Sequence, residues 1–229
     1  GYITKYSHDS YISTNETLQA TNIWGESNSS TMRCPTLVFK GGTMDRALVA
    51  KLPRLFEETD PVSQTGYYHS VVVPFRSDIL LLERAEAYIM QKKYTEAAKD
   101  LTTWMQNCTK STLTLDPDTI QKFYNSFGYY TSTAPTPKKH LNPSFEIDEE
   151  GSVQECMLQC VLNFKRIETI HEGMRWFDVK RYGINITRRV MNQDSECDHV
   201  TDSLGTNDLR RAIQLPFDII AAGLERNPR

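Results

Sequence analysis

The chain has 229 residues, 39% of them hydrophobic and 24% charged, and carries a net charge of −3. That balance is ordinary for a globular protein. Its dispersed lysines and arginines give no electrostatic footprint for nucleic acid or an anionic membrane, and no run approaches the ~18 uninterrupted apolar residues of a membrane span. The chain opens on Gly1 with no leader, so it reads as a processed or shortened form of something longer. Cys34, Cys108, Cys156, Cys160 and Cys197 are scattered without a C-x-x-C pair, and they read as small buried or half-buried thiols, not metal ligands.

In chain order, residues 1–35 are polar, without periodicity, and read as irregular. Thr36 to Lys40 is a candidate strand closed by Gly41 and Gly42. From Asp45 the chain reads as helical up to Pro53, then irregular to Pro61. The strongest local signal follows Pro74: Arg76 to Gln91 and Thr95 to Asn107 are two helices joined by a short turn. Leu81, Ala85 and Tyr88 share a face of the first, and Ala97, Leu101 and Trp104 share a face of the second. Together they resemble one tetratricopeptide hairpin. A lone repeat cannot bury both of its faces, so it must pack on something else.

Residues 111–151, with Pro117, Pro135, Pro137 and Pro143, read as one long connection carrying Tyr124, Phe127, Tyr129 and Tyr130. A helix runs from Ser152 to Gly173; Ser152 caps it and Glu155 completes a capping box. Met174 to Tyr182 is a shorter helical segment stopped by Gly183. Asn192 to Asp208 reads as a loop, Arg211 to Pro216 as an extended segment returning to the core, and Phe217 to Leu224 as a last helix. The expected fold class is mainly α, a helical hairpin with long irregular loops.

Glu172, Arg175, Asp178 and Arg181 stand three apart, a spacing at which helical neighbours form ion pairs. Guanidiniums beside both acids argue against a glycosidase pair, which needs one raised carboxyl pKa. Trp176 and Phe177 are expected as core anchors. Glu83 and Glu86 are expected to pair with Arg84 or with a loop. His8, His69, His140, His171 and His199 are scattered singly, and no Ser/His/Asp set, H-E-x-x-H, P-loop or G-x-G-x-x-G is present. No catalytic residue, metal or cofactor is therefore expected. Tyr11, Trp24, Tyr67, Tyr68, Tyr129 and Tyr130, with Asn22, are the candidate ligand-binding residues, because sugars present apolar C–H faces to aromatic rings.

Three blocks, in order, resemble the C-terminal half of the SusD/RagB family. They are Pro74 to Tyr88 (PFRSDILLLERAEAY), Arg166 to Gly183 (RIETIHEGMRWFDVKRYG), and Ala212 to Pro216 (AIQLP) ahead of Asn227 and Pro228. The second is the specific one, matching the pattern E-R-x-x-E-x-x-x-E-G-x-R-W-x-D-L-x-R-x-G. It places Arg166, Glu168, Glu172, Gly173, Arg175, Trp176, Asp178, Arg181 and Gly183 on the structural signature, and departs at Lys165 and Thr169. The resemblance implies a SusD-like fold with residues 1–73 as a loop-rich, ligand-facing segment and 74–229 as the helical region. It also implies a surface-exposed outer-membrane lipoprotein, whose lipid anchor lies outside this chain. Such a protein delivers a glycan or peptide oligomer to a SusC-like TonB-dependent transporter. The alternative from another class is a helical-repeat module that recognises only protein.

Overall fold

The computed structural model describes residues 2–4, 11–13, 23, 37–40, 46–50, 54–70, 74–109, 111–134, 136–170, 172–192 and 197–228. The fold is mixed, with helix outweighing strand. It divides into two compact units, one made of residues 1–128 with 147–175, the other of 129–146 with 176–229. Among the described residues no helix is long and apolar enough to cross a membrane.

The first unit is organised around four helices: α1 (Ser77–Met90), α2 (Tyr94–Cys108), α3 (Pro117–Asn125) and α4 (Val153–Glu168). The expected hairpin is α1 and α2, with Lys92 in a left-handed turn between them (φ 59°). Its faces are rotated slightly from the sequence reading. Leu82, Ala85 and Ile89 are buried on α1, and Ala97, Leu101, Trp104 and Met105 on α2, whereas Leu81 and Tyr88 are only half-buried.

What covers the hairpin is α4, which packs on α1, α2 and α3. All of α4 from Gln154 to Lys165 is buried, so its polar residues need internal partners. Gln154 donates to the Ile89 carbonyl (3.3 Å) and accepts from the Asp148 N–H (2.7 Å), while Gln159 donates to Glu155 (2.6 Å). The cap forms as the sequence requires at Ser152, which accepts from the Glu155 N–H at 3.2 Å. The reciprocal bond is displaced by one residue: Glu155 accepts from the N–H of Gly151. Cys156 and Cys160 are both buried on this helix, and burial pushes the Cys160 thiol far above its ordinary range.

Helix α3 corrects the expectation of a continuous loop over 111–151. Asp116 accepts from the Thr119 N–H (2.9 Å) and Pro117 occupies the first helical turn, where its missing N–H costs nothing. Ile120 and Tyr124 are buried beneath it.

The strands of the first unit form two antiparallel sheets. β1 (Tyr2–Thr4), β5 (Arg54–Asp60) and β6 (Thr65–Ser70) lie in the order β1-β5-β6. β2 (Tyr11–Ser13), β3 (Leu37–Lys40) and β4 (Arg46–Ala50) lie in the order β2-β4-β3. β3 falls where a strand is expected. The helix expected from Asp45 to Pro53 is instead β4, paired on both sides, so ladder bonding outweighs the helix propensity of Ala and Leu.

The second unit contains α5 (Arg175–Arg181), whose first residue belongs to the other unit, β7 (Ile186–Met191), β8 (Cys197–Leu204), a 3-10 turn over Leu209–Arg211, and α6 (Phe217–Ala221). The hairpin β7–β8 replaces the loop expected over 192–208. Gly183 ends the helical segment with φ 58°, and a Cβ there would collide with the Asn142 carbonyl. The extended segment expected to return to the core does not: Ile213 is 75% exposed. Arg211 is buried in its place and donates to the carbonyls of Gly205 (2.6 Å), Val179 (2.9 Å) and Ile184 (2.6 Å). The Val179 carbonyl belongs to the last turn of α5, where a cation is favourably placed. Phe177 is 65% exposed, so it is no core anchor, and Trp176 is only half-buried, its indole N–H enclosed without an acceptor among the described residues.

Candidate functional site

The two most specific sequence blocks meet in the first unit at one guanidinium. Arg76, just ahead of α1, bonds Asp78, the buried Glu168 near the end of α4, and Glu172 (2.6 Å) beyond it. Glu168 also accepts from the indole N–H of Trp104 at 3.1 Å. Burial alone would raise Asp78, but hydrogen bonds from Arg76 and from the Ile79 N–H outweigh it and hold the carboxyl below its ordinary value. The neighbouring Cys108 thiol is pushed up to about 12, first by burial and then by Glu168 and Asp78. It is no nucleophile at neutral pH.

Beside the i, i+3 spacing within 172–181, Glu172 has an ion pair with Arg76, a residue of α1's approach. Glu172 lies ahead of α5, not on it, and Gly173 turns the chain between them with φ 76°. Arg175 donates to the Leu162 carbonyl (3.3 Å), and Asp178 is buried. The guanidinium of Arg181 lies 5.0 Å from the ring centre of Phe145 and 5.8 Å from that of Tyr182. Arg166 is half-buried on α4.

A second ion cluster joins α1 to α4. Lys165 bonds the buried Glu86 and, at 2.8 Å, Glu83. Burial disfavours its charge, yet the two carboxylates hold its pKa above the ordinary lysine value. Arg84, an expected partner of these acids, forks onto Asp100 at 2.8 Å twice. Lys165→Met is expected to cost about 3 kcal/mol, the low end for breaking a buried pair, because Glu83 can turn to water. The double variant Lys165→Met, Glu86→Leu should recover most of it. Urea unfolding of the three proteins measures both values.

The ligand candidates are dispersed. Trp24 and Asn22 lie outside the described residues, and Tyr11 falls on β2. Tyr129 and Tyr130 are half-buried in the second unit, and their rings are occupied. Tyr129 stacks on His140 (4.4 Å, 12°) with the Lys138 ammonium 4.4 Å from its centre. Tyr130 carries Lys139 at 3.4 Å and bonds Thr187 through its hydroxyl (2.7 Å). Little of either face is left for a sugar.

Tyr67 and Tyr68, on β6 in the first unit, are the exposed pair, at 72% and 56%. Side chains alternate along a strand, so the two point to opposite faces. Tyr68 leans on Phe56 (5.1 Å). Tyr67 stands opposite Glu57, whose carboxylate is 3.8 Å from His69 Nδ1. An open ring flanked by a carboxylate and an imidazole is the chemistry a sugar requires, a stacking face with hydrogen-bonding groups at its edge. The sequence lists Tyr67 but does not reveal Glu57 and His69, because cross-strand register brings them together. Asp60 anchors the hairpin tip by accepting from the Val62 N–H (2.9 Å) and the Ser63 hydroxyl (2.6 Å).

Among the described residues no group of three or more His, Cys, Asp or Glu side chains could hold a metal ion. No family model matches the chain, and no curated protein and no solved structure matches it either.

Proposed function

We propose that this chain is the C-terminal portion of a SusD/RagB-type protein that captures a nutrient oligomer, a glycan in the first place, at the bacterial outer membrane. It hands the oligomer to a SusC-like TonB-dependent transporter. One observation carries the reading: Arg76 of the first resembling block is bonded to Glu168 and Glu172 of the second. These residues stand 92 and 96 positions apart from Arg76 in the sequence, and the charged groups of the two blocks serve one another as a single structural knot. Carboxylates held by a guanidinium are poor acid/base catalysts, which favours binding over turnover. The exposed Tyr67, with Glu57 and His69 beside it, supplies the platform.

Calorimetry against a panel of soluble polysaccharides and peptides is the test. A glycan that binds wild type should lose about thirtyfold in affinity to Tyr67→Ala, as for a stacking hot spot of about 2 kcal/mol, with unchanged melting. The same incubations should release no product. Turnover that disappears in Glu172→Gln would replace this reading with an enzymatic one, and binding only to folded proteins would replace it with an interaction module.

A further inference from the structure

We propose that a groove at the start of α1 is a docking site for a peptide segment that carries an apolar side chain next to a lysine or arginine. The groove is a cavity of about 500 Å³, with an apolar lining from Pro74, Phe75, Ile79, Leu80 and Met174. It lies wholly within the first unit and is separate from the Tyr67 platform in residues. It stands whether or not the protein captures glycans.

Size, exposure and charge together select the occupant. A volume of this order takes one or two large side chains with some backbone, not a folded domain. Single exposed apolar residues are common and mean little. Here Phe75 (92% exposed), Leu80 (69%) and Met174 (41%) all line one concavity, which is how binding grooves differ from scattered surface residues. The rim is acidic. Glu83 and Glu172 line the groove together with Arg76, which bonds Glu172, Asp78 and Glu168, and behind them Lys165 bonds Glu83 and Glu86. Lys165 is shared between Glu86 and Glu83, and the Glu83 side chain is 55% exposed. An incoming ammonium or guanidinium gains a carboxylate there while its apolar neighbour fills the groove. An acidic segment would meet like charge.

The experiment is selection of short random peptides displayed on phage against the whole chain, with the Leu80→Asp protein as the counter-target. Leu80 is exposed, so Leu80→Asp should melt like wild type, whereas Glu83→Gln leaves Lys165 with Glu86 and should melt only slightly lower. Peptides enriched on wild type should place Leu, Ile, Phe or Met beside Lys or Arg. Fluorescence anisotropy of a synthetic copy should show affinity falling about tenfold or more in Leu80→Asp. That change adds negative charge, so a loss reports the apolar contact. Glu83→Gln and added salt should each weaken binding several-fold. Enrichment of acidic or uncharged peptides, or none beyond that on Leu80→Asp, would overturn the proposal. So would sedimentation showing a wild-type dimer that Leu80→Asp dissociates, since the occupant would then be a second copy.

Discussion

Trp104→Ala is expected to lower the unfolding free energy by about 4–5 kcal/mol, the upper range for removing a buried tryptophan. Trp104 is 1% exposed, stacks on Phe164 of α4 (4.5 Å between ring centres, 28°), and sends its indole N–H to Glu168. Truncation opens a cavity between α2 and α4 and removes a donor from a buried carboxylate, two independent costs. Trp104→Phe separates them. It keeps most of the ring contact and drops the N–H, so it should cost less, about 2 kcal/mol, chiefly the penalty of an under-satisfied charged acceptor. Denaturant unfolding of both variants, with m-values checked against wild type, measures the pair. Equal costs for Phe and Ala would mean that the hydrogen bond to Glu168, and not the packing, is what Trp104 supplies. The equivalent experiment on Trp176, which the signature block suggests as an anchor, should show the smaller effect because that side chain is only half-buried.

The hairpin α1–α2 and the long helix α4 are legible in the sequence because their apolar residues repeat at the helical period and Ser152 marks the start of α4. The features missed have identifiable causes. Pro117 looks like a breaker inside a long connection, yet Asp116 before it and Thr119 after it are a start signal. The hairpin β7–β8 escapes notice because β8 is exposed along almost its whole length, so no apolar alternation marks it. Its register is set by pairing alone. Arg46 to Ala50 has the composition of a helix and becomes a strand because two partners bind it. The site divides in the same way. Tyr67 and Tyr68 are visible as aromatics in a polar stretch, whereas Glu57 and His69 join Tyr67 only through strand register. The spacing of Glu172 and Arg175 suggests a local pair and gives no sign of Arg76, ninety-six positions earlier, which bonds Glu172. Local periodicity carries no information about such a partner.

Arg76→Ala is expected to be the most pH-sensitive change in the protein, costing about 4–5 kcal/mol near neutral pH. The guanidinium side chain is 21% exposed and stands among Asp78, Glu168 and Glu172, of which Glu168 is 2% exposed. In wild type the folded-state pKa of Asp78 lies below its ordinary value. Its contribution is therefore present above that ordinary value and lost as pH falls through the folded one. Without Arg76 the direction reverses for Asp78. Burial then raises its carboxyl, so the acid destabilises the fold when ionised and the penalty fades as it takes up a proton. The gap between wild type and variant should accordingly be widest near pH 7 and close by roughly half or more toward pH 4–5. Urea unfolding at several pH values measures it. Arg76→Lys should recover part of the neutral-pH loss, since an ammonium restores the charge but cannot fork onto three carboxylates. A gap that stays constant across the pH range would show that Arg76 acts through its aliphatic packing and that the acids are stabilised by other groups.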